Sequence, residues 1–175
     1  MNTIVKNIRP MDAVLALALS ALGVWIMLEN INGADSDLRI DSTSWALVPV
    51  FLAATVPVLW RRTSPLTVTL VAAAAMAAHV AAFGWLVRCG AGLPLALVLA
   101  YAAGRFTADR RQSAFTMALT VGVQALVLVR DSAAGLDVLP FTAVIGAAVW
   151  GVGLYVRSRS ERAVTPARET VSVAS

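Results

Sequence analysis

The side chains that could do chemistry in this chain are few, and they lie inside apolar runs. The only histidine, His79, falls within "LTVTLVAAAAMAAHVAAFGWL", while Tyr101 and Gln124 lie in two later apolar runs. Histidine is the one side chain that ordinarily titrates near neutral pH. Polar and ionisable groups are costly inside a membrane, so they are functional candidates by default. His79, Gln124 and Tyr101 are therefore the candidate intramembrane polar or sensor residues.

His79 and Gln124 are predicted to lie at similar depths. His79 comes thirteen residues after Leu66 and Gln124 eleven after Ser113, which corresponds to roughly 20 Å and roughly 16 Å of helix. The two side chains could therefore meet inside a helical bundle. Two interpretations of His79 stay open: a neutral hydrogen-bonding residue that stabilises helix packing by about 1 kcal/mol, or a sensor of protons or a ligand.

Cysteine and histidine counts exclude several chemistries. With one cysteine, Cys89, and one histidine, the chain cannot build a multi-cysteine or multi-histidine metal site or a two-histidine relay. There is also no mid-span carboxylate to complete a proton pathway. We predict no enzymatic activity, no catalytic residue, no metal and no cofactor.

Composition places the chain among membrane proteins. Hydrophobic residues make up 59% and charged residues only 14%, whereas soluble domains carry about 25% charged residues. The basic residues form short clusters beside apolar runs, so we expect the lipid bilayer, and not nucleic acid, as the surrounding partner. We predict an all-α polytopic bundle of six transmembrane helices, at about 11–29, 44–60, 66–86, 93–106, 113–129 and 139–156, and a disordered basic tail over 157–175.

The distribution of positive charge predicts the orientation. Cytoplasmic segments collect Lys and Arg. With the N-terminus inside, six spans place eleven of the 14 basic residues on the cytoplasmic side and three outside. We therefore expect both ends in the cytoplasm of a bacterial plasma membrane. The expected topology anchors are Arg61, Arg62, Arg110, Arg111, Arg157 and Arg159.

Several residues predict helix boundaries and bends. Asp12 follows Pro10 and is expected in the first turn of span one, where a carboxylate favours the helix dipole. Ser64 is a candidate N-cap, with Pro65 at the first helical position. The fourth span is expected to be the weakest because its uninterrupted apolar part is short. Pro94 and Pro140 are interpreted as helix-start residues, and Pro49 and Pro57 are expected to kink span two.

Small residues recur every fourth position in span six, at Ala143, Ala147 and Gly151. Such rows let helix backbones approach closely. They are candidate packing positions within the chain, and span six could also pair with a second copy.

Four stretches, in order, resemble the N-terminal membrane domain of two-component sensor histidine kinases of the actinobacterial type. They are "RPMDAVLALAL", "VLWRRTSPLTV", "LALVLAYAAGRFTADRR" and "WGVGLYVRSRSERA", and the likeness covers about residues 8–162. In that family a Pro-x-Asp precedes span one, an Arg-Arg and a Pro separate spans two and three, and a Tyr lies in span four. The last span ends in Trp, Gly and an arginine cluster.

The resemblance implies a sensory input domain but not kinase activity. Family members continue into a helix with a phosphoacceptor histidine and an ATP-binding domain, whereas this chain stops shortly after the arginine cluster and its only histidine lies in a span. We expect a sensor-like or regulatory module that acts through a partner, as a homodimer or a heteromer with a membrane histidine kinase. A small transporter or permease-like subunit, or a degenerate remnant, are the open alternatives. The resemblance supplies no ligand.

Overall fold

The fold is all-helical. The computed structural model describes residues 8–33 and 37–173, with side chains described up to residue 163. Within this part of the chain there are six α-helices, two short 3-10 turns at Val56–Trp60 and Leu136–Val138, and one isolated β-bridge between Leu86 and Asp131. The helices are α1 (Pro10–Asn32), α2 (Leu47–Thr55), α3 (Pro65–Phe83), α4 (Cys89–Phe106), α5 (Arg110–Leu128) and α6 (Leu139–Val173).

Four helices are long and apolar enough to cross a membrane: α1, α3, α4 and α6. The other two predicted spans differ from the expectation. The apolar segment Leu47–Trp60, formed by α2 and its 3-10 turn, is shorter than the usual crossing length. Helix α5 opens with Arg110, Arg111 and Gln112, and these residues reduce its apolar length. The helical class and four candidate spans are thus established, whereas the six-span bundle stays a prediction.

The fourth predicted span is longer than expected, although its mean hydropathy of 1.4 is the lowest of the four candidate spans. Helix α4 begins at Cys89, four residues before the predicted span, and is 18 residues long. Pro94 consequently lies inside the helix and does not start it. The earlier start has a physical cause, because the backbone N–H groups of Arg88 and Cys89 both donate to Asp131 Oδ2 at 2.6 Å. A distant carboxylate thereby satisfies the first amides of the helix.

Span two changes its helical type where its second proline lies. The α-helix ends at Thr55, and Val56–Trp60, which contains Pro57, forms a 3-10 turn. Proline cannot donate the backbone bond that would continue an α-helix. At the next turn, Pro65 is the first residue of α3 as predicted, but the Ser64 side chain makes no capping hydrogen bond.

Helix α6 does not end at residue 156, where the predicted span ended, but continues to Val173. Residues 157–163, assigned to a disordered tail by the sequence analysis, are helical. The Arg157 Nε atom lies 3.5 Å from Glu161 Oε1, one helical turn on, and such a pair supports a helix. Side chains from residue 164 onward lie outside the described part of the chain.

Helix α4 is the centre of the bundle and packs against α1, α3, α5 and α6. Half of its membrane window is buried, against 11% for α6. At the α4–α6 crossing two glycines face each other: a Cβ added to Gly104 or to Gly153 would lie 3.2 Å from the carbonyl carbon of the other residue. Helix α6 is therefore attached mainly along one stripe, and most of its surface is free.

The row of small residues predicted for helix packing differs from the residues of α6 that are buried against the rest of the chain. Gly146 and Gly153 are buried, whereas Ala147 is exposed and Ala143 and Gly151 are only partly covered. A Cβ added to Gly151 would meet no atom within 4 Å. The row Ala143, Ala147 and Gly151 thus lies largely beside the contact stripe, and its role toward a partner stays a prediction.

Candidate functional site

The most unusual side chain in the described structure is a buried arginine between α3 and α4. Arg88 is 0% exposed. Its guanidinium donates three hydrogen bonds: Nε to His79 Nδ1 at 3.1 Å, Nη1 to the Arg130 carbonyl oxygen at 2.8 Å, and Nη2 to the Gly84 carbonyl oxygen at 2.6 Å. In the predicted six-span topology, Arg88 is simply one of the three basic residues placed outside. The structure makes it the link between α3, α4 and the end of α5.

Gly84 allows this link to form. It follows α3 directly and is the one described residue with a positive φ, at 65°. Glycine adopts that conformation without the steric penalty of a side chain. The chain therefore reverses at once, and the Gly84 carbonyl faces the guanidinium of Arg88.

Asp131 completes the same junction from the far side. It is 2% exposed, and its Oδ2 accepts from the backbone N–H groups of Arg88 and Cys89. Its Oδ1 accepts from the N–H groups of Ala133 and Ala134 at 3.0 and 2.9 Å. One carboxylate thus holds the N-terminus of α4 to the segment that follows α5. We refer to His79, Arg88 and Asp131 as the arginine junction.

Two further side chains hold the segment between α3 and α4. Asn30, at the end of α1, accepts from the Val87 N–H at 2.9 Å and donates to the Val87 carbonyl oxygen at 2.8 Å. Asp41 accepts from the Trp85 N–H at 2.9 Å. The arginine junction is therefore connected to α1 and to the loop before α2 as well.

His79 has a defined chemical form in this setting. Its Nδ1 accepts the Arg88 bond, so the neutral ring carries its proton on Nε2. The ring makes edge contacts with Phe51 and Phe83, at centroid distances of 5.8 and 4.9 Å. A doubly protonated imidazole cannot accept a hydrogen bond, so the contact with Arg88 requires neutral His79.

Burial affects the charge of Arg88 only in part. It lowers the pKa of the guanidinium to about 10, and the nearby Asp131 carboxylate opposes the shift. Arg88 consequently stays protonated at neutral pH. A buried cation is costly unless polar groups surround it, and here two backbone carbonyl oxygens and an imidazole nitrogen do so.

The other two sequence candidates lie elsewhere in the bundle. Gln124 is 0% exposed, as His79 is, so both face the interior as expected. However, Gln124 Nε2 donates to the Thr142 carbonyl oxygen at 3.3 Å, which places its contacts on α6 and not at His79. Tyr101 is half-buried on α4, where its ring meets Phe106 edge-on at 6.2 Å. The structure does not bring the three candidates into one site.

A second polar cluster lies at the opposite end of the bundle. Asp12 is 0% exposed, and its Oδ1 lies 2.9 Å from Arg61 Nη2 while its Oδ2 lies 2.5 Å from Arg62 Nε. Asp12 is in the first turn of α1, as predicted, but it also binds both arginines of the next turn. A sequence signal for this cluster was available. Asp12 carries the opposite charge to Arg61 and Arg62, and all three residues were predicted at the cytoplasmic side.

The remaining predicted anchors lie at this same end, which we call the basic end. Arg110 and Arg111 are exposed. Arg157 donates from Nη1 to the Thr107 carbonyl oxygen, and the Arg159 guanidinium lies 5.2 Å from the Tyr155 ring centroid. The Arg157 bond ties α6 to the turn between α4 and α5, whereas the Arg159–Tyr155 contact lies within α6.

The two clusters hold charge and helix ends in place, and neither has the composition of a metal site. Among the described residues there is no group of three or more His, Cys, Asp or Glu side chains suited to a metal ion. Comparison of the chain with family models, with curated proteins and with solved structures found no match. The arginine junction is therefore the candidate functional site.

Proposed function

We propose that this protein is an integral membrane sensory or regulatory module that acts through a membrane partner. It would resemble the input domain of a histidine kinase, with the residues before and after the membrane bundle on the cytoplasmic side of a bacterial plasma membrane. The arginine junction is the observation that carries the proposal, because its hydrogen bonds link three helix ends through one buried cation.

Such a junction suits a switch better than a static support. Breaking one buried charged interaction leaves an uncompensated charge, which favours a rearrangement of the groups around it. Each partner of Arg88 comes from a different place: His79 from α3, Gly84 from the turn, and Arg130 from the end of α5. A stimulus that protonates His79 or displaces Asp131 would therefore shift α4 relative to α3 and α5.

The route from the junction to a partner runs along α4 to α6. The N-terminus of α4 is held by Asp131, and its C-terminal half contacts α6 at the Gly104–Gly153 crossing. Where two backbones are in direct contact, no flexible side chains lie between them to absorb a displacement, so a movement of one helix is transmitted to the other. Helix α6 then continues into the basic segment beyond residue 156.

A chimaera tests the sensory role. Residue 163 would be fused to the signalling helix and catalytic domain of a membrane histidine kinase, with several junction lengths to sample the helical register. Autophosphorylation would be measured in lipid nanodiscs for the parent, Arg88→Met and the matched control Arg130→Met. Coupling of ordinary size predicts at least about a fivefold change for Arg88→Met. Equal rates for all three proteins at every junction length would refute the proposal.

Association is proposed to involve the free face of α6, either in a homodimer or in a heteromer with a membrane kinase. The open space around Gly151 supports this choice, because a partner helix can approach there closely. Fluorescence transfer between tagged copies in native membranes should fall in Gly151→Leu and persist in Ala74→Leu, at an exposed position of α3. An unchanged signal in Gly151→Leu would place the interface elsewhere, and no transfer in the parent would favour a heteromer or a monomer.

A further inference from the structure

A cavity in the described structure opens between α1, α4 and α6. Its volume is about 510 Å³, and its walls are formed by apolar side chains that include Val14 and Ala18 of α1, Leu97 of α4 and Val149 of α6. Arg61 and Tyr101 also line it. The volume falls in the range of small-molecule sites, and we refer to this cavity as the α1–α4 groove.

Positive charge is concentrated at one end of the groove. Three guanidiniums surround the Phe106 ring, with Cζ atoms 4.8 Å (Arg62), 5.7 Å (Arg105) and 6.0 Å (Arg61) from its centroid. Phe106 in turn contacts Tyr101, which lines the groove. The apolar groove and the arginine cluster are therefore continuous.

The charges in this cluster do not balance. Asp12 supplies one carboxylate, and both of its oxygens are already engaged by Arg61 and Arg62. Arg105 donates to the neutral Ser160 hydroxyl at 3.1 Å. Among the described residues, the three guanidiniums of this cluster thus have one carboxylate, that of Asp12, as their counter-ion. Because Arg62 is 27% exposed, its guanidinium is accessible to a ligand.

We propose that the α1–α4 groove binds an anionic phospholipid from the leaflet at the basic end. One acyl chain lies along Val14, Ala18 and Leu97, and the headgroup phosphate contacts Arg62 and Arg105. Basic pockets between transmembrane helices have the chemistry that recognises anionic headgroups. The occupant is a lipid and not a soluble anion because the walls of the groove are apolar. This site does not depend on the sensory role.

Native mass spectrometry tests the proposal. The protein would be reconstituted in vesicles of equal parts phosphatidylglycerol and phosphatidylcholine, and the lipids retained on release would be counted. The parent should retain phosphatidylglycerol in preference. In Arg62→Gln this preference should fall by about fivefold, the effect of one basic residue near a headgroup, whereas the exposed Arg110→Gln should not change it.

A pair of phenylalanine variants tests the groove itself. Ala18→Phe fills the cavity and should abolish retention, and Ala78→Phe, at an exposed position of α3 outside the groove, should retain lipid as the parent does. Size-exclusion profiles and helical content establish whether each variant is folded. If Ala18→Phe does not fold, the lipid preference of Arg62→Gln is the test of the proposal. Three results would overturn the proposal: no retained lipid, equal retention of both lipids by the parent, or equal retention by parent and folded Ala18→Phe. A protein dimer without lipid would instead assign the groove to a second copy.

Discussion

Gly104 on α4 and Gly153 on α6 bring the two helix backbones into direct contact. A Cβ added to Gly153 would lie 2.7 Å from the Tyr101 carbonyl oxygen and 3.0 Å from the Arg105 amide nitrogen. Neither neighbour is a flexible side chain that can move away. The crossing of these helices therefore depends on the lack of a single methyl group.

Gly153→Ala should destabilise the protein by about 1–3 kcal/mol, the usual cost of overpacking. Gly151→Ala is the matched control, two residues away on the same helix with open space around it. There, alanine should be neutral or stabilising, because glycine inside a helix costs about 0.5–1 kcal/mol relative to alanine. Thermal unfolding of both variants in detergent micelles measures the difference. A Gly153→Ala protein as stable as Gly151→Ala would show that the crossing is looser than described.

Asp12→Asn should be strongly destabilising. The substitution leaves Arg61, whose side chain is 8% exposed, without its carboxylate partner. Removing one member of a buried ion pair costs about 3–5 kcal/mol. The exposed Asp37→Asn provides the control and should stay within about 0.5 kcal/mol of the parent. Denaturant unfolding in micelles compares the two, and equal losses would mean that the Asp12 cluster contributes nothing specific.

Asp41 should make stability depend on pH in acid. The Trp85 backbone N–H, and then Arg39, lower the pKa of this carboxyl below 3.8. Since the folded-state pKa is below the unfolded one, the stabilisation is present above about pH 4 and is lost as the pH falls through the lowered value. The difference in melting temperature between the parent and Asp41→Asn should therefore be constant from pH 7 to 5 and shrink on further acidification. A difference that grows in acid would have the wrong sign.

Cysteine labelling tests the proposed orientation. In a Cys89→Ser background, which removes the only native cysteine, single cysteines would replace Asp37, Thr63 or Thr165. A membrane-impermeant maleimide added to intact cells should reach position 37 alone, because the basic segments are expected inside. Permeabilised cells give the labelling control for the other two positions. Labelling of position 63 in intact cells would rule out the orientation.

Sequence patterning predicted the helical class and where apolar helices lie, because both depend on local composition. It could not predict the arginine junction. Hydropathy treats Arg88 as a charge in a loop, and its burial depends on Gly84, Arg130 and Asp131, the last two more than forty residues away. The start of α4 was placed too late for the same reason, because it depends on Asp131, which is distant in the sequence. The period-four row that ends at Gly151 was visible, but Gly153, which makes the contact, belongs to a different face.

The ion pair between Asp12 and Arg61 was predictable only in part. Each was placed at the same side of the membrane from local signals, and opposite charges confined to one interface have few other partners. The burial of Asp12 and Arg61 was not predictable, since it depends on how closely α1 packs against the 3-10 turn before Arg61.

The most direct test of the account is whether the arginine junction controls the position of α6 at the basic end. Spin labels at positions 63 and 163, in the Cys89→Ser background, would report the distance between the α2–α3 turn and α6 by pulsed electron resonance in nanodiscs. We predict that Arg88→Met shifts this distance by about 1–2 Å, the usual size of helix displacements in switches, and that Arg130→Met leaves it at the parent value. Identical distance distributions for the parent, Arg88→Met and Arg130→Met would contradict the account.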